Sequence, residues 1–159
     1  MKNLEQDLKT GNFKPVYLLY GDEAYLKNLY KNRLKNALIA KTDTMNLQRY
    51  EGKGISIPEV IDQAETMPFF AEHRLLLLEN TELFKGAGGD LADYLPSMPT
   101  ETVMVFVEDE VDKRSRMYKA VKNLGRVAEL SHQNEKVLTN WVLRSLQKEN
   151  VKITRSGME

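Results

Sequence analysis

The chain has no cysteine among its 159 residues, and that absence excludes several kinds of chemistry. Disulfide bridges, thiolate nucleophiles and cysteine-ligated zinc or iron–sulfur centres all require this residue. A cysteine-free chain fits a reducing compartment, so a cytoplasmic location is expected. A chain of this length corresponds to about one domain, which buries roughly 70% of the surface that its unfolded form exposes.

Long apolar runs are scarce as well. Runs such as Leu75 to Leu78 fall far short of the about 20 residues that a membrane-spanning helix needs. The first residues lack the apolar segment and the small-residue cleavage site of a signal peptide. The composition, 42% hydrophobic and 29% charged, is that of a soluble globular protein. We therefore expect neither a secretory leader nor a membrane partner.

Catalytic and metal-binding patterns are sparse too. The two histidines, His73 and His132, lie 59 positions apart, and neither has a second histidine at helical spacing. No G-x-S-x-G nucleophile turn occurs. We predict no catalytic residue, no metal site and no cofactor, and we expect each histidine simply to flank a strand.

Basic and acidic residues balance at 23 each, but they are not evenly spread. The net charge is +4 over residues 1–50, −11 over 51–112 and +7 over 113–159. On such counts alone, solvated helix faces are the favoured interpretation. The alternative is a generic DNA-binding module whose basic C-terminal third contacts phosphates or an acidic partner surface. Its candidate contacts are Lys113, Arg114, Arg116, Lys119 and Lys122.

Short β-rich apolar runs alternate with segments of helical period along the chain. The apolar runs predict five strands, at 16–20, 46–50, 75–78, 103–107 and 127–130. The helical segments predict helices at 24–38, 57–67, about 90–95, 115–124 and 134–149. Strands joined by helices, with continuously apolar central strands, predict an α/β fold with a mostly parallel sheet covered on both faces.

Several helix ends carry more specific signals. Residues 56–59 form a capping box, and Pro68 ends the helix that this box begins. Gly125 is expected to adopt a left-handed cap after the fourth predicted helix. The acidic residues 108–110, which follow the fourth strand, are expected to begin the next helix, where they complement its positive N-terminal dipole.

The turn after the first strand is where a phosphate-binding loop lies in a sheet of this kind. Residues 21–28 match the G-x-x-x-x-G-K-[ST] pattern at Gly21 and Lys27. Leu26 replaces the glycine that lets backbone amides approach phosphate, and Asn28 replaces the hydroxyl that ligates magnesium. Two acidic residues inside the loop would also repel an anion. We predict a phosphate loop in position but not in function.

The enzyme alternative is an active P-loop NTPase. It would use residues 108–110 as a Walker-B-like acidic element and would bind nucleotide with magnesium. The two lost loop positions disfavour this interpretation.

The segment Met67–Phe70 carries no charge, although the turn at a helix end is normally polar. Two adjacent aromatic side chains do not easily point into one core. The favoured interpretation has Phe70 packed under the third strand and Phe69 covering a helix. The alternative is an exposed anchor that inserts into a pocket of a partner, because aromatic and methionine side chains are enriched at binding hot spots.

Three segments, at 16–23, 67–80 and 107–113, together resemble the delta subunit of bacterial DNA polymerase III. The resemblance extends over residues 1 to about 150. It combines, in the family's order, the strand–turn pattern, the degenerate phosphate loop and the aromatic pair.

The resemblance implies an AAA+ type, P-loop NTPase-like domain over residues 1–140 that binds and opens the sliding clamp without hydrolysing ATP. The family's clamp-contacting hydrophobic pair corresponds to Phe69 and Phe70, with Met67 as a neighbour, and this chain has Phe-Phe where the family has Leu-Phe. The implied partners are the sliding clamp (the beta subunit), the other clamp-loader subunits and, through the assembled complex, DNA.

The resemblance also implies a helical lid domain, of which residues 141–159 would be the beginning. Residues 156–159 have the spacing of a capping box at a helix start, which indicates a chain that stops inside the lid. We expect a truncated protein that touches a clamp but does not assemble stably with the other loader subunits.

Overall fold

The computed structural model describes residues 2–86 and 88–131. The strands are β1 (Val16–Tyr20), β2 (Leu47–Glu51), β3 (Arg74–Glu79), β4 (Thr102–Glu108) and β5 (Arg126–Glu129). The helices are α1 (Lys2–Thr10), α2 (Ala24–Leu38), α3 (Ile57–Glu65), α4 (Gly89–Tyr94) and α5 (Arg116–Leu124), with short 3-10 turns at Leu83–Lys85 and Leu95–Ser97. The strands form one sheet in the order β2-β3-β4-β1-β5.

Every neighbouring strand pair in this sheet is parallel, and helices cover both of its faces. Alternate residues of β1 therefore enter different cores. Val16 and Leu18 pack with α3, α4 and α5, whereas Tyr17 and Leu19 pack with α1 and α2. Burial on both faces explains why β1, β3 and β4 read as unbroken apolar runs. The predicted α/β fold with five strands flanked by helices is confirmed.

Helix α1 escapes prediction from the sequence, because only Leu4 and Leu8 mark its apolar face. Its second anchor is polar. The buried carboxylate of Asp7 accepts hydrogen bonds from the Tyr17 hydroxyl at 2.9 Å and from Arg126 Nε at 3.0 Å. The segment is short and mostly polar, and the partners of Asp7 lie outside it, so these contacts could not be seen in the sequence.

The predicted helix ends are only partly correct. Ser56 caps α3 as expected, since its hydroxyl accepts from the Glu59 amide, but α3 ends at Glu65, two residues before the predicted end at Met67. The left-handed cap at Gly125 is wrong, because its φ is −138°. Glycine is needed there for a different reason: a Cβ at this position would lie 1.8 Å from the carbonyl oxygen of Val16.

Some predictions fall outside the described residues, namely His132, the helix at 134–149 and the lid segment at 141–159. His73 directly precedes β3, as predicted, and its ring meets the Phe13 ring edge-on at 5.8 Å. Within the described part of the chain no helix is long and apolar enough to cross a membrane. The same residues hold no group of three or more histidine, cysteine or acidic side chains placed to bind a metal ion.

A parallel sheet has two unlike edges. The strands all end at one edge, here called the carboxyl edge, where residues 21–23 and the start of α2 follow β1 and residues 109 and 110 follow β4. They all begin at the other edge, the amino edge, where residues 43–46 precede β2 and residues 66–73 precede β3. The six residues of β3 separate the two edges by roughly 20 Å. The phosphate-loop position and the aromatic pair therefore lie at opposite edges of the sheet.

Candidate functional site

The glycine of the phosphate-loop position serves the packing of the chain. Gly21 has a φ of 127°, and a Cβ there would lie 2.2 Å from the carbonyl oxygen of Leu130. The same oxygen accepts a hydrogen bond of 3.0 Å from the Glu23 amide. The turn is thus closed against the residue that follows β5, and the missing side chain permits that approach rather than the approach of a phosphate.

The N-terminus of α2, which would hold a phosphate in a working loop, already carries an anion. Glu23 is its N-cap, and its carboxylate accepts a hydrogen bond of 3.1 Å from the Tyr25 amide. The Glu23 side chain is buried. A carboxylate at this position complements the helix dipole and takes the place that a nucleotide phosphate would need.

Two of the other loop positions, Leu26 and Lys27, are also used internally. Leu26 is fully buried in the core between α2 and the sheet, so the position that needs glycine holds a packing side chain. Lys27 is buried and paired with Asp109 at 2.6 Å, and it donates to the Glu108 carbonyl at 3.3 Å. Asn28 is exposed on a cleft of about 510 Å³ that Lys27 and Asp109 also line.

The acidic residues after β4 do not begin the next helix, and that prediction is wrong. Helix α5 begins only at Arg116, and Ser115 caps it by accepting from the Tyr118 amide at 3.1 Å. Glu108 is instead the buried last residue of β4. Its carboxylate accepts from the amide and hydroxyl of Thr81 and from the Glu82 amide. Burial raises the pKa of Glu108 above its ordinary value, against the lowering effect of the Thr81 bonds.

The aromatic pair at the amino edge is exposed. Phe70 is 95% exposed, Phe69 53% and Met67 59%. The two phenyl rings pack against each other edge-on, with their centroids 4.4 Å apart. The favoured sequence interpretation, with Phe70 under the third strand and Phe69 covering a helix, is therefore wrong. We refer to the side chains of Met67, Phe69 and Phe70 as the apolar wedge.

Asn46, which the sequence did not identify as a candidate, supports the main chain that carries the apolar wedge. Asn46 is only 1% exposed, and its side-chain amide bonds both main-chain groups of Phe69. The Phe69 amide donates to Asn46 Oδ1 at 2.6 Å, and Asn46 Nδ2 donates to the Phe69 carbonyl at 2.9 Å. Asn46 Nδ2 also donates to Asp43 Oδ2 at 2.7 Å. The one available signal was the D-x-x-N spacing, which is typical of a side chain that caps a turn.

A second buried polar side chain secures the base of the same region. Arg74 begins β3, and its guanidinium donates to the Gln63 carbonyl at 2.7 Å and to the Met45 carbonyl at 3.1 Å. It also bonds the Gln63 side chain. Arg74 therefore connects the end of α3 to the loop before β2. The segment that carries the apolar wedge lies between the end of α3 and Arg74.

Exposed apolar side chains are concentrated at this edge. Among the described residues, five large hydrophobic side chains are exposed, and four of them lie in the two segments that Asn46 joins. These four are Met45, Met67, Phe69 and Phe70, and the fifth is Tyr25 in the first turn of α2. Scattered single apolar residues are normal on a surface, but a local group of this kind marks an interaction site.

The basic residues proposed for DNA contact are all exposed, at and just before α5. Two of them have acidic partners: Arg114 pairs with Asp112 at 3.3 Å and Arg116 pairs with Asp93. Residues 116, 119 and 122 follow one another at helical spacing and so share a face of α5. The other two, at 113 and 114, lie in the turn that precedes the helix.

Comparison with known proteins gives consistent matches. A family model described as DNA polymerase III, delta subunit, matches residues 17–131. The DNA polymerase III subunit delta of Bacillus subtilis (strain 168) is 27% identical in an alignment of 166 positions, gaps included, that covers 97% of this chain and 48% of that protein. The chain therefore spans about half the length of this relative.

Solved structures agree with the sequence matches. The Bacillus subtilis DNA clamp loader delta protein superposes with a TM-score of 0.79 at 27% identity, over 93% of this chain and 47% of that one. A DNA polymerase III gamma subunit-related protein from Thermotoga maritima gives a TM-score of 0.55 at 12% identity, over 96% of this chain and 56% of that one, and it shares the fold alone. With the family model extending over most of the described strands and helices, the chain belongs to the family of DNA polymerase III delta subunits.

Proposed function

We propose that this chain acts as the delta subunit of a bacterial clamp loader, binds the sliding clamp through the apolar wedge and helps to open its ring during DNA replication. The observation that carries the proposal is the exposure of Met67, Phe69 and Phe70 on a segment that hydrogen bonds to the buried Asn46 side chain hold in place. In this proposal the wedge inserts into an apolar groove of the clamp. Burying one large apolar side chain contributes about 1.5 to 3 kcal/mol.

The mechanism in this proposal is conformational. Contact with the clamp favours the open ring only to the extent that the wedge binds the open form more tightly than the closed form. The occupied helix terminus at Glu23 and the Lys27–Asp109 pair support a subunit that does not hydrolyse ATP itself. ATP hydrolysis by partner subunits would then control when the wedge is presented.

The proposal includes an AAA+ type clamp-binding domain over residues 1–140, the beginning of a helical lid at 141–159, and a cytoplasmic location. Assembly with the other loader subunits, and access to DNA through the assembled complex, are part of it. The exposed basic face of α5 supports such a DNA contact. That contact predicts an affinity for DNA that falls steeply with salt.

Clamp binding by the purified chain tests the proposal. The variant with Phe69→Ala and Phe70→Ala is expected to bind a bacterial sliding clamp at least about 100-fold more weakly than the wild type, because it lacks two large apolar groups. Tyr25→Ala is the matched control, since it also removes an exposed aromatic ring, but at the carboxyl edge. Equal affinity of the wild type and the double variant would refute the assignment of this site.

A further inference from the structure

Phe70, which is part of the apolar wedge, has an unfavourable backbone conformation. Phe70 has a φ of 55°, in the left-handed region, and among the described residues only Asn80 and Glu82 share this feature without being glycine. A bulky side chain is disfavoured there by contacts with its own backbone. The Phe70 ring is almost fully exposed, so packing into the core does not compensate. Some other interaction must hold the segment in this shape.

Asn46 provides that interaction. Its side-chain amide pairs reciprocally with the amide and carbonyl of Phe69, the residue directly before Phe70. The Asn46 side chain thus accepts one hydrogen bond from the Phe69 main chain and donates one to it, as a main-chain partner in a β-sheet would. It fixes the orientation of the peptide groups from which the Phe70 backbone departs.

Asp43 orients Asn46 in turn. One carboxylate oxygen of Asp43 accepts from the amides of Met45 and Asn46 at 2.9 and 3.0 Å, and the other accepts from Asn46 Nδ2 at 2.7 Å. Since the carboxylate only accepts, it determines which end of the Asn46 amide is the donor. The side-chain oxygen Oδ1 of Asn46 is thereby directed to the Phe69 amide.

We propose that Asn46, oriented by Asp43, is a positioning residue that holds Phe69 and Phe70 in the shape in which the clamp receives them. This inference rests on the proposed function. A segment that is already ordered loses less conformational entropy when it binds, so its affinity is higher for the same contacts. Asn46 thus contributes to clamp affinity without touching the clamp.

The first readout does not involve the clamp. In Asn46→Ala the Phe69 amide loses its acceptor, and we expect its hydrogen exchange to become fast while the amides of β2 and β3 keep their protection. Asn36→Ala, which changes an exposed asparagine on α2, is the matched control and leaves the Phe69 amide protected. A Phe69 amide that stays protected in Asn46→Ala would overturn the inference.

The second readout is the affinity for a bacterial sliding clamp. Asn46→Ala is expected to weaken binding roughly 5- to 20-fold, through the loss of two hydrogen bonds and of the ordered segment. Asp43→Ala, a change in the loop before β2 that leaves the core intact, is expected to weaken it less and in the same direction. If Asn46→Ala fails to fold, Asp43→Ala still tests the inference.

A combined variant separates positioning from a general effect on the fold. When Phe69 and Phe70 are already alanine, adding Asn46→Ala should not weaken clamp binding further, because no ring remains to be positioned. If the double alanine variant binds weakly and Asn46→Ala binds like the wild type, the inference fails and the proposed function stands. If the double alanine variant binds like the wild type, the proposed function fails first.

Discussion

The candidate functional groups at the two edges of the sheet differ in whether they have partners within the chain. At the carboxyl edge, the groups that could bind a nucleotide have partners within the chain: Glu23 caps α2, and Lys27 pairs with Asp109. At the amino edge, buried polar groups such as Asn46 and Arg74 support a segment whose apolar side chains lack a partner. At one edge the groups that could bind phosphate are used within the chain, and at the other apolar side chains are exposed.

The difference shows that a loop which matches part of a phosphate-binding pattern can have its groups used within the chain. The loop after β1 contains the glycine and the lysine of the pattern, but each stabilises the chain itself. Gly21 leaves room for the close approach of the Leu130 main chain, and Lys27 forms an ion pair with Asp109. A partial motif therefore does not by itself establish what a turn binds, and the partners of its side chains must be known as well.

The largest effect is expected from restoring the missing glycine of the loop. Leu26→Gly removes a fully buried side chain from α2 and should lower the free energy of unfolding by roughly 3 to 5 kcal/mol. It should not create nucleotide binding, because Glu23 still occupies the helix terminus. Chemical denaturation and calorimetry with magnesium and ATP measure the two effects. Asn28→Thr is the control, an exposed change that should leave stability almost unaltered.

The opposite pattern is expected for Phe70→Ala. The ring makes little contact with the core, so the free energy of unfolding should change by less than about 0.5 kcal/mol. Clamp affinity should fall roughly 10- to 100-fold, because the ring is buried only in the complex. Phe69→Leu keeps a large apolar group and should cost less than about fivefold. A large loss of stability in Phe70→Ala would mean that the ring supports the fold after all.

A smaller effect is expected at the Lys27–Asp109 pair. Asp109 is largely exposed, so Asp109→Ala should lower the free energy of unfolding by about 1 kcal/mol or less. Lys27 keeps its bond to the Glu108 carbonyl, and Glu23 still excludes phosphate. Magnesium-dependent ATP binding by Asp109→Ala, seen by calorimetry, would contradict this account of the carboxyl edge.

The smallest effect is expected in the titration of Asp43. Hydrogen bonds, chiefly from the Asn46 side chain and then from the Asn46 amide, hold the pKa of Asp43 below its ordinary value. Their stabilisation is therefore present above the unfolded-state pKa and is lost as the pH falls through the folded-state pKa. In Asn46→Ala the Asp43 pKa should rise part of the way to its ordinary value, as carbon NMR of the carboxyl group would show. An unchanged pKa would mean that the Asn46 side chain does not bond Asp43 in solution.

Most of the fold could be predicted from the sequence because the sheet is buried on both sides. Apolar runs such as 103–107 stand out once helices cover both faces, and all five strands lie within about one residue of the prediction. The failures share a cause. Helix α1 is anchored by Asp7, and Gly125 is required by a carbonyl of β1, so both depend on contacts distant in sequence.

The candidate site was predicted in part for similar reasons. The sequence identified Phe69 and Phe70, since two adjacent aromatic residues at a helix end are unusual, but it favoured burying them. It could not identify Asn46, because an asparagine before a strand is common and its partner lies 23 positions away. The departures of the phosphate loop from its pattern are visible in the sequence, whereas its contacts with Leu130 and Asp109 needed the structure.

Hydrogen–deuterium exchange of this chain, with and without a saturating sliding clamp, tests the contrast between the two edges most directly. The account predicts that the clamp protects the amide groups of the amino-edge segments at 43–46 and 66–73. It also predicts that the amide groups of residues 21–28 and of α5 exchange as fast as in the free chain. Protection of residues 21–28 or of α5, with the amino-edge segments unchanged, would contradict the central claim.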